Sequence, residues 1–136
     1  MSCRNLRVLV VEGDPLLRAT YGRLLKGLRV YDHQEVESGA EALGAAVYFR
    51  PDVVIVNLAL SAEMGGQEVL ERLRGSPLFD RTAIVAATPM VRWMRRAPCI
   101  TTFDDVLATP LSGQALVGLL EREAGRRRVL GEALAI

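Results

Sequence analysis

Short apolar runs alternate with segments of helical periodicity along the whole chain, and this alternation limits the fold more than any other feature. The runs lie at residues 7–11, 53–58, 83–87 and 106–108, and residues 30–36 predict a weaker, more polar strand, which suggests a sheet edge. Strands that alternate with helices pair in parallel through right-handed crossovers, and the helices then cover both faces of the sheet. The sequence therefore predicts an α/β domain built from five strand–helix units.

Helices are predicted at residues 15–28, 38–50, 67–74 and 91–96, and from residue 112 to at least 123. Pro15 suits the first turn of its helix. Ser38, with Glu41 three residues later, predicts a capping box at the start of the second helix. We expect one domain over residues 1–124. Residues 125–136 form a C-terminal extension with an amphipathic pattern, which would lengthen the last helix, fray, or dock a partner.

The composition excludes several classes of protein. A length of 136 residues indicates a single domain. A formal net charge of +1 gives no general attraction to nucleic acid or membranes. We expect a cytoplasmic protein, because no signal sequence or membrane span is visible and Cys3 and Cys99 are too few for a disulfide framework. No nucleophile–base pair, phosphate-binding glycine loop or metal-ligand cluster stands out, so we do not expect an enzyme. His33 is expected to be a surface residue.

Five motifs then occur in order and at a consistent spacing. They are VLVVEGDP at 8–15, SGAEAL at 38–43, RPDVVIVN at 50–57, GGQEVL at 65–70 and DDVLATP at 104–110. In these motifs the chain resembles the receiver domains of bacterial response regulators, over roughly residues 6–123. The resemblance implies a flavodoxin-like fold, in which a doubly wound parallel sheet of five strands has the order 2-1-3-4-5.

The resemblance also implies a phosphorylation cleft whose chemistry this sequence departs from. Receivers have an acidic pair after the first strand, a phosphoacceptor Asp after the third, a Thr or Ser after the fourth, a Lys before the final Pro and often an aromatic residue in the fifth strand. The corresponding residues here are Glu12 and Gly13, Asn57, Thr88, Thr109 and Val106. An amide cannot accept a phosphoryl group, and it is a weaker Mg²⁺ ligand than a carboxylate. We therefore expect weak or absent Mg²⁺ binding and no other cofactor. We also expect no catalytic or metal-ligating residues, and no recovery of phosphorylation from Asn57→Asp alone.

Two residues near this cleft have more than one interpretation. Asp14 either caps the helix that begins at Pro15 or joins Glu12 in a makeshift metal site. Glu12, without its metal, would be solvated, or would accept a hydrogen bond from Asn57 or Thr88.

Because the cleft lacks this chemistry, we expect the function to depend on binding surfaces. In receivers the fourth helix, fifth strand and fifth helix form the output and dimerisation face. The residues of this chain that correspond to part of that face are Arg92, Trp93, Arg95, Arg96 and Val106. Trp and Arg are enriched at interface hot spots, although Trp93 packed in the core beside solvated arginines would give the same pattern. We expect a pseudo-receiver that binds protein partners, or a second copy of itself, through this face. The alternative is a receiver-like domain whose altered cleft binds a small ligand or an anion.

Overall fold

The computed structural model describes residues 4–60, 64–89, 103–129 and 134–135. Its strands are β1 (Arg4–Val11), β2 (Tyr31–Val36), β3 (Val53–Asn57), β4 (Ala83–Thr88), β5 (Asp105–Ala108) and β6 (Leu134–Ala135). The first five pair in parallel in the order β2-β1-β3-β4-β5, which confirms the predicted topology. Each of these five strands lies within three residues of its predicted position. Continuous apolar runs suit strands that are buried on both faces of a parallel sheet, and the more polar β2 lies at an edge, as expected.

The helices are α1 (Pro15–Gly27), α2 (Gly39–Phe49), α3 (Gly66–Arg74) and a C-terminal helix (Gly113–Val129), with a 3-10 turn at Pro77–Phe79. Ser38 caps α2 through its hydroxyl, which accepts a hydrogen bond from Glu41 N–H. The reciprocal bond of the predicted capping box is shifted by one residue, because the Glu41 carboxylate accepts from Glu37 N–H at 3.2 Å and not from Ser38 N–H. The predicted fourth helix, at residues 91–96, lies outside the described residues.

Two apolar layers sandwich the sheet. Tyr21 and Leu25 of α1 pack with Leu116, Leu119 and Leu120 of the C-terminal helix against one face. Residues of α2 and α3 cover the other face, where Ala42 and Ala46 meet Val69, Leu70 and Leu73. Burial of these side chains supplies the main driving force for the fold, and it leaves the carboxyl ends of the strands accessible to the connecting loops.

Glycine permits two unusually close contacts where α2 and α3 begin. A Cβ atom on Gly39 would lie 2.8 Å from Val69 Cγ2 and 3.0 Å from Met64 O. A Cβ atom on Gly66 would lie 3.0 Å from Asn57 O and 3.1 Å from Leu58 Cα. These distances are below ordinary van der Waals contact. The first turn of α2 therefore packs directly on α3, and the first turn of α3 packs directly on the end of β3.

A buried ion pair joins the C-terminal helix to the opposite, amino-terminal end of the sheet. Arg127 is 5% exposed, and its Nη1 lies 3.4 Å from Asp52 Oδ1. The Arg127 guanidinium also donates to Asp52 O at 2.6 Å and to Arg81 O. The second oxygen of Asp52 accepts from Arg7 N–H at 2.8 Å. The C-terminal helix thus continues past residue 124, where the predicted domain ends, and Arg127 holds it against the sheet.

The chain beyond this helix contributes one further element. Leu134 and Ala135 form β6, which pairs in parallel with Arg4 and Asn5 of β1. The sequence did not predict this strand, because two residues are too few to show a periodicity.

Candidate functional site

The predicted cleft lies at the carboxyl end of the sheet, where β1, β3 and β4 finish side by side. Val11 pairs with Val56, and Asn57 pairs with Ala87, so the residues that follow β1 and end β3 and β4 are close together. Glu12, Asn57 and Thr88 come from these three positions. This edge of an open parallel sheet is where ligand and active sites of α/β proteins occur.

Glu12 is the buried charge of the cleft, with 2% of its surface exposed. The side-chain amide of Asn57 donates to both of its carboxylate oxygens, at 2.9 Å in each case. A third donor, Asp14 N–H, lies 3.0 Å from Glu12 Oε2. A buried carboxylate needs such donors, because desolvation without them is costly. Of the open alternatives for Glu12, the structure shows the hydrogen bond to Asn57.

The other half of the Asn57 amide is also used within the chain. Its Oδ1 accepts a hydrogen bond from Ala59 N–H at 2.8 Å, which closes a turn immediately after β3. This bond orients the amide so that its NH₂ group faces Glu12. Asn57 therefore joins the buried acid of β1 to the loop after β3, and every polar atom of its side chain has a hydrogen bond.

Asp14 caps α1. Its Oδ1 accepts from Leu16 N–H at 2.9 Å, and Pro15 occupies the first helical position. The capping interpretation is confirmed, and the carboxylate is directed at the helix N-terminus. A Cβ atom on Gly13 would meet only ordinary van der Waals contacts, at 3.6 Å and 3.8 Å, so a side chain there would not clash at its first atom.

Arg18 is a cleft residue that sequence reasoning missed. Its Nη1 donates to Glu12 O at 2.9 Å, and its Nη2 lies 3.9 Å from Glu37 Oε2. The guanidinium therefore places a positive charge over the loop that follows β1. Arg18 is one turn beyond the Asp14 cap, so its proximity to this loop follows from helical spacing. An arginine on a helix surface gives no other signal of this contact.

The charge of Glu12 is also felt by Tyr21 beneath it. Burial, and secondarily the Glu12 carboxylate, raise the pKa of Tyr21 well above its ordinary value of 10.0. Tyr21 therefore stays neutral at physiological pH and forms part of the apolar floor below the cleft.

The remaining cleft residues lie at the ends of β4 and β5. Thr88 is buried, and its carbonyl accepts from Thr109 N–H at 3.1 Å. Thr109 precedes Pro110 through a cis peptide bond. Val106 is partly buried against the α2–α3 layer. The structure thus brings Thr88 and Thr109 to the same strand ends as Glu12 and Asn57.

The donor set of this cleft does not match the needs of a hard cation. Mg²⁺ is bound by oxygen ligands, chiefly carboxylates, whereas both Glu12 oxygens here accept from N–H groups. Across the described parts of the chain, no three His, Cys, Asp or Glu side chains are grouped so as to hold a metal ion.

His33 lies on the edge strand β2 and is partly exposed. Its side chain is 22% exposed, and Nδ1 lies 2.6 Å from Glu35 Oε2 on the same strand. The two residues are separated by two positions, so they share one face of β2, a spacing that the sequence does contain.

The predicted partner face is only partly within the described residues. Arg92, Trp93, Arg95 and Arg96 lie outside them. Val106 lies in β5, the outermost strand on its side of the described sheet. It lines a groove of about 380 Å³ between β5 and the C-terminal helix, together with Leu107, Ala108, Ser112, Gln114, Ala115, Gly118 and Arg122.

Comparisons with known proteins agree with this architecture. Residues 8–121 match the family described as response regulator receiver domain. The chain is 30% identical over 120 residues to the DNA-binding response regulator MtrA of Mycolicibacterium smegmatis, covering 86% of this chain and 50% of that protein. The chain therefore spans about half the length of this relative.

Solved structures share the fold at lower sequence identity. A receiver domain of a Pseudomonas aeruginosa sensor histidine kinase, with magnesium coordinated in its active-site cleft, superposes with a TM-score of 0.78 at 24% identity, over 89% of this chain and 98% of that one. The chemotaxis protein CheY4 of Vibrio cholerae gives 0.76 at 22%, over 87% and 98%. None of the helices in the described parts of the chain is long and apolar enough to cross a membrane.

Proposed function

The chain belongs to the family of response regulator receiver domains of two-component signalling, and we propose that it acts there as a pseudo-receiver. In this proposal it signals through protein–protein contacts that do not depend on phosphorylation. The proposal is carried by one observation, which is that the side-chain NH₂ group of Asn57 donates to both carboxylate oxygens of buried Glu12.

In a receiver the residue that ends the third strand must supply a nucleophilic carboxylate oxygen. The amide at position 57 has no such oxygen, and its carbonyl is engaged by Ala59 N–H. Phosphoryl transfer also depends on charge stabilisation by Mg²⁺ and a cationic side chain. Gly13 offers no second carboxylate, and Thr109 carries no charge. Because all of these groups are missing together, we infer that the whole phosphorylation mechanism is lost and not one step of it.

Asn57 also removes the need for a cation in the cleft, which a carboxylate at position 57 would create. Two acids facing each other across a cleft repel unless a cation or a proton lies between them. An amide donates to Glu12 without bringing a charge of its own. Together with the positive charge of Arg18 over the β1–α1 loop, this arrangement supports weak or absent Mg²⁺ binding.

The groove beside β5 supports action through protein contacts. Its lining combines apolar residues such as Leu107 and Ala115 with the polar residues Ser112, Gln114 and Arg122. An apolar floor with a polar rim is the common anatomy of protein interfaces. We place the protein partner on this face, which includes the β5 groove and the predicted helix bearing Trp93.

Treatment with acetyl phosphate, or with beryllofluoride, and Mg²⁺ is expected to leave the amide NMR spectrum of the protein unchanged. The physical reason is that no carboxylate at position 57 accepts the group and no carboxylate pair retains the metal. Two-dimensional spectra recorded through a titration of each reagent make the measurement. Saturable shifts of the amides near Asn57 and Thr88 would refute the proposal.

Two variants serve as controls for this experiment. Asn57→Asp alone is expected to remain unresponsive. The triple change Gly13→Asp, Asn57→Asp and Thr109→Lys is expected to respond, because a side chain at Gly13 would not clash at its first atom. A response of the single variant would show that the other two departures are unimportant.

A charge placed in the β5 groove is expected to abolish capture of the protein partner without unfolding the chain. Ala115→Glu places a charge on the exposed wall of the groove, and a buried unpaired charge opposes binding by a few kcal/mol. Affinity capture from the native host, followed by mass spectrometry, compares wild type with this variant. The matched control is Ala19→Glu, an exposed alanine on α1 that lies outside this face. Partners that survive Ala115→Glu would place the interface elsewhere.

A further inference from the structure

The outward face of α2 is unusually apolar for a helix exposed to solvent. Tyr48 is 89% exposed and Val47 is 45% exposed, while Ala40 and Gly44 complete the same face. The helix contains one charged residue, Glu41. A solvated helix face normally carries polar and charged side chains, so this face has the composition of a surface that packs against another helix.

The glycine at the centre of this face is not required by the chain's own packing. A Cβ atom on Gly44 would meet nothing within 4 Å, whereas one on Gly39 of the same helix would clash at 2.8 Å. Glycine in a helix interior costs about 0.5–1 kcal/mol relative to alanine. Residues four apart lie one above another, so Gly44 makes a notch between Ala40 and Tyr48. The notch admits a large side chain from outside.

Charge selects the occupant of this face. Glu41 lies in the first turn of α2, and Arg50 follows its last turn. Both side chains are exposed. When two copies of α2 pack antiparallel, Glu41 of each lies beside Arg50 of the other. The two helix dipoles then also point in opposite directions, which is favourable. Because the arrangement is two-fold symmetric, each favourable contact occurs twice.

We propose that two copies of this chain associate through α2, with the helices antiparallel and Tyr48 of each copy packed in the Gly44 notch of the other. This interface is separate from the cleft and from the β5 groove, and it does not depend on the function proposed above. An eleven-residue helix is about 16 Å long, which gives an interface at the small end of the known range. Because the interface is small, we expect a weak dimer, in which the β5 groove stays available.

Sedimentation velocity of the full chain, across micromolar to several hundred micromolar concentrations, tests the proposal. Wild type is expected to shift from monomer to dimer, and Gly44→Arg to weaken the association at least tenfold. The matched control is Gly125→Arg in the C-terminal helix, where a Cβ atom also meets nothing within 4 Å. It is expected to dimerise like wild type. A wild type that stays monomeric, or a dimer that survives Gly44→Arg, would overturn the proposal.

A mixing experiment separates the charge contacts from misfolding. Glu41→Arg and Arg50→Glu are each expected to self-associate at least tenfold more weakly than wild type. An equimolar mixture is expected to recover the dimer, because each Arg then faces a Glu across both contacts. Since a misfolded variant cannot regain affinity on mixing, recovery supports the proposed pairing. Absence of recovery, with both variants folded by circular dichroism, would contradict it.

Discussion

Arg127→Met is expected to lower the free energy of unfolding by about 3–5 kcal/mol, the cost of removing one partner from a buried ion pair. The Asp52 carboxylate would stay buried without the guanidinium that now lies 3.4 Å away. The carbonyls of Asp52 and Arg81 would each lose a hydrogen bond from Arg127. Because a domain of this size has only about 5–15 kcal/mol of stability, the loss is large. Urea denaturation followed by circular dichroism measures it.

Two comparisons distinguish burial from charge in this experiment. Arg72→Met removes an arginine from the exposed pair with Glu68, and it is expected to cost less than about 1 kcal/mol. The double variant Asp52→Asn with Arg127→Met removes both charges and is expected to recover at least half of the loss. If Arg127→Met proves as mild as Arg72→Met, the pair does not hold the C-terminal helix.

Asn57→Asp is expected to destabilise the protein by about 2–4 kcal/mol at neutral pH, because it replaces a donor amide with a second carboxylate beside buried Glu12. The oxygens concerned now lie 2.9 Å from the amide nitrogen. The loss should shrink as the pH falls towards about 4, since uptake of one proton relieves the repulsion. Denaturation of wild type and variant in the absence of Mg²⁺, at a series of pH values, measures both effects.

The control for this variant uses the same substitution at a more exposed position. The Asn5 amide donates to Asp32 at 3.1 Å, and the Asp32 side chain is 46% exposed. Asn5→Asp is therefore expected to cost less than about 1 kcal/mol. Glu12→Gln combined with Asn57→Asp exchanges the amide and the carboxylate and is expected to restore most of the stability. A double variant no more stable than Asn57→Asp would show that the pair is not the source of the loss.

The strands were accessible from the sequence for a physical reason, whereas their order came from the resemblance to receiver domains. The four residues before Asn57 in β3 are all apolar and buried, and such continuous apolarity is typical of a strand inside a parallel sheet. The caps were accessible as well, because Asp14 and Ser38 act on their immediate neighbours. Both kinds of signal are local.

The long-range polar contacts were less accessible. Asp52 and Arg127 are 75 residues apart, and nothing in either neighbourhood distinguishes them from solvated charges. The contact between Glu12 and Asn57 was one of three open alternatives, since the sequence places both residues at one sheet edge without fixing a rotamer. Arg18 was missed because its partners are backbone carbonyls, which every residue possesses.

The close packing at Gly39 and Gly66 has a mechanical consequence. Gly39 abuts Val69 and Met64, and Gly66 abuts the backbone of Asn57 and Leu58. A side chain at Gly39 would therefore push the first turn of α2 away from α3. A side chain at Gly66 would displace the end of β3, which carries Asn57, without a change to any residue of the cleft.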